Sequence, residues 1–327
     1  MEDSNSHQVL LAEDLRKSYG PRLALRELTF SLKAGRILGF LGPNGAGKTT
    51  AIRILTTILE PDSGHFVVDG ISSEYPDKIR RRIGVLPENL GFPRQMTGLE
   101  YLTHFGQLYG VSTADARSNS LRLLEDVGLK QRAKSLIGTY SHGMRQRIGI
   151  ARALVNDPVV VFLDEPTLGL DPRGQQELLT LIKRIVQERN VGVILCSHAL
   201  SEIEEICDDV VILSSGQIIA SGPVADVIGR AQRNVIRVRV PLSSVAQATQ
   251  KLEALPNIIR VASSNGKTGW LVMVRVGLTD TAYTPKPDAN NKILEALIKA
   301  KIPVLGYEVE GGRLQDVFLH LTEEVIK

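Results

Sequence analysis

A glycine-rich stretch, Gly42–Thr49, reads GPNGAGKT and ends in a lysine followed by a threonine. Apolar residues precede it and an amphipathic pattern follows it, so the sequence predicts a strand, a loop and a helix in that order. Glycines let backbone N–H groups turn toward phosphate oxygens, and a helix start adds positive partial charge. We therefore expect Lys48 to reach the terminal phosphates of a nucleotide, Thr49 to face Mg²⁺ and Thr50 to support the α-phosphate. The alternative is a glycine-rich turn with a chance lysine, which the flanking elements and a downstream acidic pair argue against.

That acidic pair, Asp164 and Glu165, ends an apolar strand in the stretch VVVFLDEP. A carboxylate at such a strand end can hold the Mg²⁺ shell, and a second can activate water. We expect Asp164 on the metal side and Glu165 as the general base. Two solvated carboxylates on a loop are the alternative, and the phosphate loop earlier in the chain favours the catalytic interpretation.

A third stretch, Tyr140–Arg147, reads YSHGMRQR and begins a predicted helix. Small polar residues and a glycine at a helix start often bind an anion. Ser141 is a natural N-cap residue, and Gly143 permits a close backbone approach. No strand leads directly into this stretch and no Lys-Thr follows it, so the stretch alone does not identify its ligand.

The elements around these residues alternate as in an α/β fold. Residues 9–40 alternate apolar and polar residues and predict antiparallel strands, whereas residues 92–157 have apolar residues at helical spacing. PVVVFLDEP and VGVILCSHA are almost continuously apolar, as parallel strands buried on both faces are, and DDVVILSSGQIIASG predicts a further strand. The predicted fold is a P-loop NTPase core with an antiparallel β subdomain and a helical subdomain.

A change of pattern near Gly229–Arg233 predicts a domain boundary, with a nucleotide-binding domain in residues 1–229 and a small α+β domain in residues 230–327. The second domain has the βαββαβ order of a ferredoxin-like unit, followed by an amphipathic helix in RLQDVFLHLTEEV. It contains no catalytic constellation. An RNA-binding sheet is the alternative, but exposed aromatic residues are scarce, with Trp270 and Tyr307 the obvious candidates.

Composition argues against a disordered, a strongly basic or a membrane-spanning protein. The 327 residues are 43% hydrophobic and 23% charged with a net charge of +3, which is globular and only mildly basic. The two cysteines, Cys196 and Cys207, show no metal-ligand spacing and fit a reducing compartment. No apolar run approaches the roughly 20 residues of a membrane helix. The polar start MEDSNSHQ does not read as a signal peptide, so we expect a cytosolic protein.

Several motifs agree in order and spacing, and through them residues 8–225 resemble the ATP-binding subunits of ABC transporters. YSHGMRQR resembles the family signature, usually written LSGGQ and often YSGGM in exporter-type relatives. The other matching motifs are LGLD (Leu168–Asp171) for the D-loop, CSH ending at His198 for the switch histidine, KSYG for the adenine-stacking aromatic at Tyr19, and GVLPEN (Gly84–Asn89) for the Q-loop. The C-terminal domain resembles the accessory domain of many bacterial exporter-type, drug-resistance-like subunits.

The resemblance implies catalytic and metal-side roles. Glu165 and His198 are the expected catalytic residues, with a neutral His198 donating to the γ-phosphate and orienting water. Thr49, Glu88 and Asp164 are the expected metal-side residues. Glu88 is a departure, because the family usually has glutamine at this position.

The resemblance also divides the nucleotide contacts between two protomers. The residues expected to contact ATP bound by a partner protomer are Ser141, His142, Gly143 and Asp171. His142 replaces the usual first glycine of the signature, and we expect its side chain to point away from the phosphate. The residues expected to bind nucleotide within one protomer are Tyr19, Gly42, Pro43, Asn44, Gly45, Ala46, Gly47, Lys48, Thr49 and Thr50.

The function implied is ATP hydrolysis that energises a separate membrane permease, with export the favoured direction. ATP and Mg²⁺ are the expected ligands, and a homodimer or a related ATPase subunit, together with integral membrane permease subunits, are the expected partners. We expect the protein on the cytoplasmic face of the cell membrane and no nucleic acid partner. The alternative is a soluble ABC-type ATPase acting on ribosomes or nucleic acid, which usually has two ATPase domains in one chain, a long coiled coil or a metal cluster. A nucleotide-binding scaffold without turnover is a third possibility, against which Glu165 and His198 argue.

Overall fold

The computed structural model describes residues 7–88, 91–230, 235–255, 258–266, 269–276, 287–310, 313–315 and 317–318. The chain divides into two compact units, Met1–Pro223 and Val224–Lys327. The division lies one short helix before the predicted boundary after residue 229, because Val224–Arg230 groups with the second unit.

The described part of the first unit alternates strands and helices. Its strands are β1 (Gln8–Tyr19), β2 (Arg22–Lys33), β3 (Ile37–Leu41), β4 (Ser63–Val68), β5 (Ile71–Ser72), β6 (Ile83–Leu86), β7 (Val160–Asp164), β8 (Gly192–Cys196), β9 (Asp209–Ser214) and β10 (Gln217–Pro223). Its helices are α1 (Lys48–Leu55), α2 (Pro76–Arg80), α3 (Gly98–Leu108), α4 (Thr113–Asp126), α5 (His142–Ala153), α6 (Pro172–Arg189) and α7 (Leu200–Ile206).

A six-stranded central sheet has the order β10-β9-β3-β8-β7-β6. Neighbours from β9 to β6 are parallel, and β10 pairs antiparallel with β9 at one edge. Every residue of β3 and β8 is buried, as continuously apolar strands require when both faces of a sheet are covered. The carboxyl ends of β3 and β8 are therefore anchored in the buried centre of the unit.

A second, antiparallel sheet has the order β2-β1-β4-β5, as the alternating pattern predicts. The core of the unit includes residues of both sheets and of α1, among them Leu10, Phe162 and Ile54. Phe30 on β2 and Phe40 on β3 meet edge to face with their ring centroids 5.0 Å apart, so aromatic packing joins the two sheets directly.

The stretch DDVVILSSGQIIASG forms two strands, β9 and β10, where the sequence predicts one. The turn between them has positive φ at Ser215 (48°) and Gly216 (80°), which reverses the chain. A Cβ built on Gly216 would lie 2.7 Å from the carbonyl oxygen of Ala24, so this turn requires a glycine. The polar Ser214-Ser215-Gly216 between the two apolar runs is the sequence signal that marks this turn.

Helices α3, α4 and α5 lie within the predicted helical subdomain. Thr97 and Glu100 form a capping box at the start of α3, with the Thr97 N–H donating to Glu100 at 2.8 Å and the Glu100 N–H to Thr97 at 3.2 Å. Ser112 caps α4 by accepting a hydrogen bond from the N–H of Asp115 at 3.2 Å. Each helix start is thus fixed by its own side chains.

The second unit has the predicted βαββαβ order after its first helix. Its elements are α8 (Val224–Arg230), β11 (Val235–Val240), α9 (Val245–Glu253), β12 (Ile258–Gly266), β13 (Gly269–Val276), α10 (Pro287–Lys299) and β14 (Gly306–Glu310). The sheet is antiparallel with the order β12-β13-β11-β14, which is the ferredoxin-like arrangement. The predicted last helix falls for the most part outside the described residues.

Tyr307, a candidate for base stacking, packs against the core of this unit, and burial raises its pKa to about 12. The side chain of Trp270 lies outside the described residues. Among the helices that the structure describes, none has the length and hydrophobicity needed to cross a membrane.

Candidate active site

Four neighbouring strands of the central sheet end at one edge, and the predicted chemistry follows each of them. The phosphate loop (Gly42–Thr49) follows β3, His198 follows β8, and Glu88 follows β6, while Asp164 and Glu165 end β7. Because β3, β8, β7 and β6 are parallel and adjacent, their carboxyl ends lie side by side. The sheet order, rather than proximity in sequence, brings these residues together.

The phosphate loop closes tightly on the start of α1. Gly47 has φ 108° and precedes the helix, and a Cβ on it would lie 2.7 Å from the carbonyl oxygen of Ala24. Lys48 donates from Nζ to the carbonyl oxygens of Gly42 and, at 3.2 Å, Pro43. Burial lowers the pKa of Lys48, while the nearby charges of Glu165 and Asp164 act in the opposite direction. The loop thus presents helix-start N–H groups and one half-buried ammonium group, which suits a polyphosphate.

Arg22 is a residue near this loop that the sequence did not identify. A Cβ built on Gly45 would lie 3.0 Å from Nη2 of Arg22, so the guanidinium lies against the phosphate loop. Arg22 is also the cross-strand partner of Tyr19, whose ring is 47% exposed at the end of β1. A cation and an exposed aromatic ring therefore lie on one hairpin. A motif search could not have found Arg22, because only the folding of β2 back past the loop brings it there.

Asp164 and Glu88 lie close enough to influence each other. Burial raises the pKa of Asp164, and the charge of Glu88 raises it further, against the effect of Lys48 and His198. Carboxylate and hydroxyl oxygens are the donors that Mg²⁺ prefers, and a divalent cation would relieve the repulsion between the two carboxylates. No group of three or more His, Cys, Asp or Glu residues among the described positions could hold a metal alone. The carboxylates of Asp164 and Glu88 fit a Mg²⁺ ion that is held by one or two carboxylates together with nucleotide phosphates.

Glu165 is buried, with 8% of its surface exposed, and its backbone has φ 49° in the left-handed region. Such backbone strain is concentrated at functional positions. The N–H of Glu165 donates to the carbonyl oxygen of Cys196 at 2.9 Å, which links the ends of β7 and β8. Burial raises the pKa of the Glu165 carboxyl group, and His198 opposes this rise.

His198 contacts the same carboxyl group through two atoms. Its backbone N–H donates to Oε2 of Glu165 at 3.4 Å, and its ring Nε2 lies 3.4 Å from Oε1. The His198 side chain is 60% exposed, so it is accessible to a ligand at the sheet edge. A carboxylate and an imidazole held in this way can share the orientation and deprotonation of a water molecule.

Glu202 is a second residue that the sequence did not identify. It is 5% exposed, and its Oε2 accepts hydrogen bonds from Thr167 Oγ1 and Ser197 Oγ, each at 2.8 Å. In the stretch LSEIEEI three glutamates look alike. Helical spacing is the sequence signal that distinguishes Glu202 from the other two, because it places Glu202 on the same helix face as the apolar Ile206.

The remaining predicted residues meet in a separate pocket of about 430 Å³, called the signature pocket below. It is lined by Ser141, His142, Gly143, Met144, Arg147, Gly169, Leu170, Asp171, Gly174, Glu177 and Leu178. Ser141 caps α5 by accepting a hydrogen bond from the Met144 N–H at 3.2 Å, as predicted. Among the described residues, those lining this pocket include none from the phosphate loop. The phosphate loop and the signature pocket are therefore two separate places on this unit.

Comparisons with known proteins agree with this geometry. The sequence model of a family described as ABC transporter matches residues 25–168. The linearmycin resistance ATP-binding protein LnrL of Bacillus subtilis is 32% identical over 98% of this chain and 100% of its own length. The bacitracin transport ATP-binding protein BcrA of Bacillus licheniformis is 41% identical over 66% of this chain and 70% of its own length.

A solved structure has the same fold. It is a dimeric bacterial ABC transporter cassette with a TM-score of 0.59 and 24% identity, covering 65% of this chain and 98% of that one. The near-complete alignment to LnrL and the matching family model identify the chain as a member of the ABC transporter family, an ATP-binding subunit that hydrolyses ATP.

Proposed function

We propose that this chain is the ATPase of an exporter and works as a dimer, with each ATP held between the phosphate loop of one protomer and the signature pocket of its partner. The observation that supports this most strongly is the separation of the two half-sites. The phosphate loop, Glu165 and His198 share the sheet edge, whereas Ser141 and Asp171 line a pocket that includes no phosphate-loop residue among those described. A second copy of the chain supplies what each half lacks.

Within one protomer, the residues at the sheet edge divide the work of phosphoryl transfer to water. Lys48 and the N–H groups at the start of α1 bind the phosphates, and Tyr19 stacks on the adenine. Thr49, Asp164 and Glu88 would hold Mg²⁺, which would supply charge neutralisation at the phosphates.

Glu165 accepts the proton of the attacking water, because it is the carboxylate held in place at the edge by the His198 N–H. The exposed ring of His198 reaches the terminal phosphate and orients the same water. The partner protomer's Ser141 and Gly143 place the start of α5 against the opposite side of that phosphate, where positive partial charge is favourable. Transfer needs positioning and charge neutralisation, and these residues provide both.

The names of the relatives support export as the direction of transport. LnrL is named for linearmycin resistance and BcrA for bacitracin transport, and we infer that this chain likewise energises a separate membrane permease that exports a small molecule. The protein would then act on the cytoplasmic face of the cell membrane. The alternative, an ATPase acting on ribosomes or nucleic acid, has no support from these relatives.

A mixing experiment tests the shared site. Lys48→Ala removes the phosphate contact of one half-site, and Ser141→Arg blocks the other, so each variant alone should be nearly inactive. Mixed in equal amounts, they form heterodimers with one intact composite site, and roughly a quarter of the wild-type rate returns if subunits pair at random. Ser118→Arg, on an exposed position of α4, is the control for an added arginine. No recovery on mixing would contradict the shared site.

A second experiment separates transport from the alternative. The chain is purified from its native cells in detergent and, separately, after ribosome sedimentation. Copurification of a polytopic membrane protein whose presence changes the ATPase rate is expected. Recovery on ribosomes without a membrane partner would contradict the exporter proposal.

A further inference from the structure

The buried carboxylate of Glu202 joins two loops that carry other residues of the site. Its Oε2 accepts hydrogen bonds from Thr167 and Ser197, both of which are 2% exposed. Thr167 lies two residues after Glu165, and Ser197 immediately precedes His198. One oxygen atom therefore ties the loop after β7 to the loop after β8.

The connection continues past His198. Ser197 Oγ also accepts a hydrogen bond from the Ala199 N–H at 3.1 Å, so the backbone is held on both sides of the histidine. On the other loop, the N–H of Glu165 is held by the carbonyl oxygen of Cys196. The two loops thus form one hydrogen-bonded unit, and Glu202 is the carboxylate within it that has no proposed contact to nucleotide or water.

A buried carboxylate is costly unless hydrogen bonds compensate its desolvation, and an apolar side chain would fill the same space more cheaply. The two hydroxyl groups supply that compensation in the form of charge-assisted hydrogen bonds, which are stronger than neutral ones. A group of this kind fixes the relative position of the elements that it joins.

We propose that Glu202 is a positioning residue for ATP hydrolysis, which holds Glu165 and His198 in register by binding Thr167 and Ser197 at once. It does not touch the nucleotide. The inference rests on the proposed roles of Glu165 and His198. Because misplacement of reacting groups by about 1 Å can reduce a rate on the order of a hundredfold, loosening this unit should affect turnover rather than binding.

Glu202→Gln keeps the volume of the side chain but removes the negative charge that strengthens both hydrogen bonds. We expect kcat to fall by about tenfold, with KM for ATP and the Kd for ATP in the absence of Mg²⁺ unchanged, because the phosphate loop is untouched. Glu205→Gln is the matched control, since Glu205 is exposed on the same helix and contacts Gln176 instead. A wild-type kcat in Glu202→Gln would overturn the inference, as would equal losses of kcat and ATP binding accompanied by a lower Tm.

A double-mutant cycle measures the coupling between Glu202 and Thr167 directly, so the test does not depend on the effect of one variant alone. Thr167→Val removes one of the two hydrogen bonds with little change of shape, and its effect on kcat should be strongly non-additive with that of Glu202→Gln. Additive losses would overturn the inference. Glu165→Gln is measured in parallel: full activity in this variant would overturn the proposed base itself, an outcome distinct from a wild-type rate in Glu202→Gln alone.

Discussion

The ring of His142 lies on the backbone of the loop that leads into α6, with Nε2 2.8 Å from the carbonyl oxygen of Leu168. Since a carbonyl oxygen only accepts, Nε2 carries the hydrogen in this contact. A Cβ built on Gly169 would lie 3.3 Å from the same nitrogen, so the ring also packs closely on that loop. The residue that replaces the usual signature glycine thus links the start of α5 to the loop that ends at Asp171.

His142→Gly should loosen this link without changing the phosphate loop. The two sides of the signature pocket would then be less well ordered before a second protomer binds, and dimerisation would require ordering them. We expect the protein concentration for half-maximal ATPase activity to rise by about fivefold, the effect of one hydrogen bond. ATPase rates over a dilution series measure this, and equilibrium binding of ATP to dilute protein should not change.

His142→Gln is the matched control, because a glutamine amide can donate to the same carbonyl oxygen. Its protein concentration for half-maximal ATPase activity should be closer to that of the wild type than the value for His142→Gly is. Equal concentration dependence in all three proteins would show that the contact between His142 and Leu168 plays no part in dimerisation.

Glu88→Gln should retain substantial ATPase activity, within about threefold of the wild type, because glutamine keeps an oxygen at the same reach. Removal of the charge should instead raise the Mg²⁺ concentration needed for half-maximal activity. Glu165→Gln removes the proposed base and should lose about a hundredfold or more in kcat. Steady-state rates over a Mg²⁺ titration test both variants. A loss in Glu88→Gln as large as that in Glu165→Gln would contradict the assignment of the base.

The sequence was sufficient to predict the elements that position the phosphate loop and the acidic pair. Continuous apolar runs predict buried parallel strands, and the glycine pattern marks the turn between β3 and α1. Both depend on residues that are close in sequence. The same holds for the N-cap at Ser141, because capping involves only the next three residues.

The relations that the sequence did not predict join residues that are distant along the chain. Helical spacing places Glu202 on the buried face of its helix, but it does not reveal that Thr167 and Ser197 lie beside it in the fold. The contact of Arg22 with the phosphate loop likewise depends on how β2 folds back. Local sequence patterns do not predict these long-range contacts, because the contacts arise from the order of strands in the sheets.

Asp69 and Arg82 form an ion pair between the turn after β4 and the start of β6, with Arg82 Nε 2.9 Å from Oδ2 of Asp69. Burial by itself would raise the pKa of Asp69, but hydrogen bonds from Arg82 and His7 outweigh it and hold the pKa below its usual value. A lowered pKa in the folded state stabilises the protein above the unfolded-state pKa, and this contribution is lost as the pH falls through the folded-state pKa.

Asp69→Asn should therefore lower the free energy of unfolding by about 1 kcal/mol at pH 7. The difference from the wild type should narrow below the ordinary aspartate pKa of about 3.9. Urea denaturation at several pH values measures this. Asp77→Asn, which removes an exposed ion pair with Arg80 inside α2, should have almost no effect at any pH. A pH-independent loss in Asp69→Asn would mean that the charge does not provide the stabilisation.

Arg22→Ala should weaken nucleotide binding, because the guanidinium lies against the phosphate loop beside the proposed adenine-stacking ring of Tyr19. A hydrogen bond to a charged group contributes roughly 1.5–3 kcal/mol, so we expect the Kd for ATP to rise by about tenfold or more. Arg26→Ala is the matched control, since Arg26 is exposed on the same strand but four residues farther along. Titration calorimetry with ATP and with adenosine separates the two parts of the ligand. A weaker affinity for ATP but not for adenosine assigns the contact of Arg22 to the phosphates. An unchanged Kd for ATP would contradict any contact between Arg22 and the nucleotide.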